Sequence, residues 1–126
     1  MIRGVGTDIV SVTRMRQALE RHGERFAHRI LAPGERADFA RARQPERLLA
    51  KRFAAKEAFG KAFGTGVAAP ATLHALAIGR DARGKPFFTY HGALADIMQS
   101  EALTAHLSLS DELDYVVAFA LIEAAR

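Results

Sequence analysis

The segment from Pro45 to about Phe63 constrains the fold most, because its pattern describes a helix wrapped by protein on two sides. Pro45-Glu46 opens it, proline being tolerated where a helical N–H would go unpaired, and Gly64-Thr65-Gly66 stops it. On a 3.6-residue wheel Glu57 shares its face with Ala50, Phe53, Ala54, Gly60 and Lys61, while the opposite side carries Leu48, Ala55, Phe59 and Phe63. Small or apolar residues on both sides predict burial on both sides, so the rest of the chain must supply the walls.

The remaining segments are short. Ile2 to Asp8 reads as a strand, with Gly4 and Gly6 allowing close backbone approach, and Ser11-Val-Thr13 offers N-caps for a helix to about His22. Phe26 to Leu31 fits helix or strand. Ala32-Pro33-Gly34-Glu35 reads as a break before a helix reaching about Arg43. Leu73 to Arg80 and Pro86 to Tyr90 form a predicted hairpin across the basic tip Asp81-Ala-Arg83-Gly84-Lys85, and Gly92 to about Ala102 a further helix. His106-Leu-Ser-Leu-Ser110 alternates, Asp111 to Asp114 turns, and Tyr115 to Ile122 is a continuous apolar strand. Strands and helices do not alternate as a βαβ series, so the expected class is α+β, a single domain over 1–126 with antiparallel sheet against the long central helix.

Composition restricts the chemistry. The chain has 126 residues, 49% of them hydrophobic, and no cysteine, so any metal must be held by oxygen or imidazole ligands. Neither a charged leader with a long apolar run nor a membrane-length apolar stretch stands out, which predicts a soluble, cytoplasmic protein. The formal charge of +4 favours anionic partners, and the first half is crowded with cations from Arg14 to Arg52. Taken alone, Asp8 is a turn or capping residue, and Glu57 with Lys61 is an i,i+4 pair worth about 0.3–0.5 kcal/mol on a solvated surface. Taken as buried, Glu57 needs a cation or a metal.

Three separated segments carry a resemblance: Gly4-Val-Gly6-Thr-Asp8-Ile-Val10, then Arg52-Phe-Ala-Ala-Lys-Glu57-Ala-Phe-Gly-Lys61-Ala-Phe-Gly64-Thr-Gly66, then His106-Leu-Ser-Leu-Ser-Asp111. In order and spacing, and including the turn Arg83-Gly84-Lys85-Pro86, they resemble the AcpS-type holo-acyl-carrier-protein synthases, the short branch of the 4′-phosphopantetheinyl transferases. Many members of that family have histidine where this chain has Asp111, although aspartate also occurs there; no role is assigned to that position.

The resemblance implies the 4′-phosphopantetheinyl transferase fold and an enzyme that moves phosphopantetheine from coenzyme A to a serine of apo acyl carrier protein, releasing 3′,5′-ADP in support of fatty acid biosynthesis. It makes Asp8 and Glu57 the Mg²⁺ ligands, matching an ion that commonly takes one or two carboxylates plus phosphate oxygens. Lys61 matches the motif lysine beside the phosphate. Arg52, Gly64, Thr65, Arg83, Gly84, Lys85, Pro86 and His106 would surround the nucleotide end of coenzyme A. Candidates for the general base are Glu57, a metal-bound water and a carboxylate of the carrier. The acidic carrier would dock on Arg14, Arg21 and Arg25, with Met15 and Phe26 as apolar anchors. The family also implies a homotrimer with active sites between subunits.

Two other readings fit the residues. A basic α+β nucleic-acid-binding module suits the arginine clusters, but the sequence has no tryptophan, 8% aromatic residues and no stacking pattern on a strand, so no nucleic-acid partner is expected. An inactive scaffold that only binds carrier protein sits poorly with intact Asp8, Glu57 and Lys61.

Overall fold

The computed structural model describes residues 1–125. The elements are β1 (Ile2–Ser11), α1 (Val12–His22), α2 (Glu24–Ile30), a 3₁₀ turn (Pro33–Glu35), α3 (Arg36–Arg41), α4 (Pro45–Phe63), β2 (Leu76–Arg80), β3 (Pro86–Tyr90), α5 (Gly92–Ser100), β4 (Leu103–Asp111) and β5 (Tyr115–Ala124). The class is α+β, as expected. β1, β5 and β4 form an antiparallel sheet in that order, and β2 pairs with β3 in a separate hairpin.

Local chemistry sets the boundaries. The Ser11 hydroxyl accepts from the Arg14 N–H at 3.2 Å and caps α1. Pro45 occupies the first turn of α4, and Gly64 closes it in the left-handed region at φ 104°. Phe26 to Leu31, open to either reading, lies largely in helix α2. β1 runs three residues past its predicted end at Asp8, because its pairing with β5 continues to Ser11 opposite Tyr115.

α4 lies against the sheet. Leu49, Ala50, Ala54, Ala55, Ala58 and Phe59 on it are all fully buried and share one core cluster with Val116, Ala118, Ala120 and Ile122 of β5, while the Phe59 ring packs on Phe88 and Tyr90 of β3. Alanines on both surfaces bring helix and sheet close, and β1 comes closer still. A Cβ at Gly6 would run into the Ala58 carbonyl oxygen, and one at Gly4 into that of Ala62. The β1 backbone therefore rests directly on α4, and because the contacts run from Ala62 at Gly4 back to Ala58 at Gly6, the next residue on that face, Asp8, points toward the preceding turn of the helix.

The apolar run of β5 is divided between two faces. Val116, Ala118, Ala120 and Ile122 are buried, whereas Tyr115, Val117 and Phe119 on the other face are exposed, together with Val5 at 55% and Ile9 at 63% on β1.

Gly6→Ala is expected to destabilise the protein by about 1–3 kcal/mol, the usual cost of overpacking, because neither backbone can retreat from the added methyl. Thermal and urea melts check this, and an unchanged midpoint would contradict the close approach.

Candidate active site

Gly4, Gly6, Asp8 and Val10 share the α4-facing side of β1, and Glu57 and Lys61 stand one turn apart on α4. Lys61 does not pair with Glu57. Its Nζ reaches across to β1, donating to the Thr7 carbonyl oxygen at 2.8 Å and approaching Asp8 Oδ1 at 3.4 Å. Among the described residues no cation stands within ion-pair distance of Glu57. Burial, and then the charge of Asp8, push the Glu57 carboxyl above its ordinary value, with Lys61 pulling weakly the other way. Two carboxylates that repel each other, with one tethered ammonium beside them, form a site short of positive charge.

The other expected residues are distributed around this cluster. Gly64 and Thr65 end α4 just past Lys61, and the Thr65 hydroxyl donates to the Gly66 carbonyl oxygen at 2.9 Å. At the hairpin tip, Asp81 Oδ1 accepts from the backbone N–H groups of Arg83 and Lys85 at 2.8 and 2.9 Å, with Gly84 at φ 83°. The tip is thereby rigid, while the Arg83 and Lys85 side chains remain exposed and Pro86 opens β3. His106 lies exposed on β4, with Nε2 3.0 Å from Glu123 Oε2. No hydrogen bond or ion pair among the described residues joins the tip or His106 to Asp8, Glu57 or Lys61.

Arg52 is 8% exposed, and its guanidinium is held by Glu35 Oε2 at 3.1 Å and Asp38 Oδ2 at 3.3 Å. It nevertheless lines a cleft of about 210 Å³ together with Arg47, Lys51 and Arg80. Asp111, to which the sequence assigns no role, binds both Arg47 and Lys51, the latter at 2.8 Å. Arg47 also donates to the carbonyl oxygens of Glu112 and Leu113, fastening the β4–β5 turn to α4. Burial alone would raise the Asp111 carboxyl, but Lys51 and Arg47 hold it below the ordinary carboxylate range.

On the expected docking face Arg14, Arg21 and Arg25 are exposed and Phe26 is half-buried. Met15, expected as an apolar anchor, is 7% exposed and belongs to the core, because it lies on the inward side of α1. The arginine face continues past the expected residues into a groove where Arg21, Arg25 and Phe26 are joined by His22, His28, Arg29 and His74.

Sequence reasoning misses the most buried polar group. Lys56 is wholly inaccessible, and its ammonium meets Glu35 Oε1 at 2.6 Å. A signal is present: Lys56 lies in the helical stripe with Leu49, Arg52, Phe59 and Phe63, where a lysine must find a buried acid. The local pattern marks Glu35 only as part of a break.

The α+β fold thus presents an acid pair with a lysine beside it on one side of α4, and a cationic cleft lined by Arg47, Lys51, Arg52 and Arg80. Residues 4–120 match the family model described as the 4′-phosphopantetheinyl transferase superfamily. The holo-[acyl-carrier-protein] synthase of Aromatoleum aromaticum is 65% identical over 123 residues, covering 98% of both chains. The crystal structure of the Neisseria meningitidis holo-[acyl-carrier-protein] synthase superposes with a TM-score of 0.93 at 47% identity, covering 98% of this chain and 99% of that one. That from Bacillus anthracis, in complex with CoA (3′,5′-ADP), gives 0.83 at 31% identity over 99% of each. The chain belongs to the 4′-phosphopantetheinyl transferase superfamily, in its holo-[acyl-carrier-protein] synthase branch.

In metal-free buffer Glu57→Gln is expected to raise the melting temperature at pH 7. Because the Glu57 carboxyl is raised in the folded chain, its ionisation weakens the fold as pH climbs above the ordinary value of 4.5, and the advantage of the glutamine variant fades as pH falls below it. Calorimetric scans across pH test the sign; a gain independent of pH would contradict it.

Proposed function

We propose that this chain transfers the 4′-phosphopantetheine arm of coenzyme A to a serine of apo acyl carrier protein, with Mg²⁺ held by Asp8 and Glu57. The observation that carries this reading is the close set of Asp8, Glu57 and Lys61, in which Glu57 has no ion-pair partner. The donor set fits the ion. No group of three or more potential ligands exists among the described residues, so two carboxylate ligands leave positions for water and phosphate oxygens, as Mg²⁺ prefers. When bound, the ion supplies charge that neutralises the pyrophosphate and the leaving phosphate.

In the reaction the serine oxygen bonds to the phosphorus that bears pantetheine, and the bond from that phosphorus to the bridging oxygen breaks. The electron pair leaves with 3′,5′-ADP, and the serine proton passes to a carboxylate of the site or of the carrier. Asp8 and Glu57 would hold the cation, whose charge would draw the pyrophosphate to this side of α4. Lys61, tethered to the Thr7 carbonyl, contributes a fixed positive charge beside the transferring phosphoryl group. Arg52, Gly64, Thr65, the tip from Arg83 to Pro86 and His106 bind the nucleotide end. Arg52 presents a guanidinium already oriented by Glu35 and Asp38.

The acidic carrier docks on Arg14, Arg21 and Arg25 with Phe26 as the apolar contact. Three chains associate through the apolar outer face of β1 and β5, where Val5, Ile9, Tyr115, Val117 and Phe119 are exposed. His106 lies toward the same outer side of the sheet, which suits a site completed by a neighbouring subunit's tip and histidine. The reaction serves fatty acid synthesis in the cytoplasm, as the family resemblance implies.

Intact-mass analysis of an apo carrier incubated with the protein, coenzyme A and Mg²⁺ should show a gain of one phosphopantetheine. EDTA and Asp8→Ala should each abolish it, and transfer surviving both would remove the metal assignment. Reversing charge with Arg14→Glu and Arg21→Glu should raise KM for carrier about tenfold, a change of about 1.4 kcal/mol, while KM for coenzyme A holds. Equal effects on both constants would refute the docking face. Light scattering should give the mass of three chains, and Phe119→Glu should yield inactive monomers; a monomeric active wild type would refute the shared site.

A further inference from the structure

Lys56 sits next to Glu57 in sequence but on a different side of α4, sealed from solvent. All three of its N–H donors are used: on Glu35 Oε1 at 2.6 Å, on the Ile30 carbonyl at 2.8 Å and on the Leu73 carbonyl at 2.8 Å. Glu35 is equally saturated. Oε1 also accepts from the Ala32 N–H at 2.9 Å, and Oε2 accepts from Arg52 Nη1 at 3.1 Å and the Ile78 N–H at 3.0 Å. One ammonium and one carboxylate thus tie the end of α2, the 3₁₀ turn, α4, the segment before β2 and β2 itself.

These are the parts that must agree for transfer. α2 carries Arg25, Phe26 and Arg29 of the basic groove, and α4 carries Glu57 and Lys61 on its β1 side and Arg52 at the cationic cleft. A fully satisfied buried network has one geometry, since any shift leaves a charge or a backbone group without a partner. We propose that Lys56 and Glu35 are positioning residues: their joint sets where the carrier-facing helix α2 stands relative to Glu57, and hence where the carrier serine arrives. This rests on the transfer reading above. Neither residue touches substrate; both act through the placement of α2 and α4.

The joint also stabilises the fold, so rate and stability must be separated. Removing one partner strands a buried charge, whereas replacing both relieves that penalty. In Glu35→Gln/Lys56→Met the amide oxygen can still accept from Ile78, and no unpaired charge of the pair remains. Transfer to apo acyl carrier protein is measured for wild type, Lys56→Met and the double variant, each well below its own melting temperature. If the joint positions, the double variant regains most of the melting temperature lost by Lys56→Met. Its kcat at saturating coenzyme A nevertheless stays about 10- to 100-fold below wild type, the scale of a small misplacement, whatever KM for coenzyme A does once Arg52 has lost its Glu35 partner. Recovery of kcat together with melting temperature makes the pair merely structural and overturns the proposal.

Should the double variant not fold, Glu35→Asp decides by the same readout. It keeps both charges but shortens the tie by one methylene, so a fall in kcat at saturating coenzyme A supports positioning and a wild-type kcat refutes it. A wild type that transfers nothing sinks the proposed function; an active wild type with an equally active variant sinks only this inference.

Discussion

The ammonium of Lys56, fully enclosed and bonded to Glu35 and two backbone carbonyls, is the constraint from which the rest of the architecture follows. Burial pulls its proton affinity down, and the Glu35 carboxylate opposes that pull. Taking away either member of such a pair commonly costs about 3–5 kcal/mol, while replacing both with well-packed neutral groups is often neutral. The pair therefore specifies more than it stabilises. It forces the 3₁₀ turn onto α4, draws the end of α2 to the same point, and holds the Arg52 guanidinium toward the cationic cleft.

The opposite side of α4 is set by the absence of side chains. Gly4 and Gly6 let β1 rest on Ala58 and Ala62, so Asp8 comes level with Glu57 and Lys61 without a loop to carry it. Building the acid pair on a strand and a helix packed backbone to backbone gives it little freedom, which suits the proposed role of holding a small cation. Lys61 is spent on Thr7 and Asp8, not on Glu57, and that choice leaves the raised Glu57 carboxyl as the open demand for positive charge.

What is legible in the sequence is mostly local. The bounds of α4, the cap at Ser11, the Pro86–Tyr90 strand and the close approach at Gly6 follow from residues within a few positions of one another. The acid pair and the nucleotide residues emerge only through resemblance; spacing alone leaves Asp8 a capping residue and Glu57 half of a surface pair. What is illegible depends on distant partners: Lys56 with Glu35, 21 positions apart, Lys61 with Thr7, 54 apart, and Arg47 with Asp111, 64 apart. The outer face of β5 misleads for a related reason. Its apolar residues look like core in sequence, but among the described residues Tyr115, Val117 and Phe119 stay exposed.

Titration with Mn²⁺, which accepts the same oxygen ligands as Mg²⁺, read by electron paramagnetic resonance, tests the arrangement most directly. In the presence of coenzyme A each wild-type chain should bind one Mn²⁺, and both Asp8→Asn and Glu57→Gln should weaken that binding by tenfold or more, about 1.4 kcal/mol. If both variants bound Mn²⁺ as tightly as wild type, the strand–helix acid pair would not be the metal site, and the chemistry assigned to that side of α4 would fall with it.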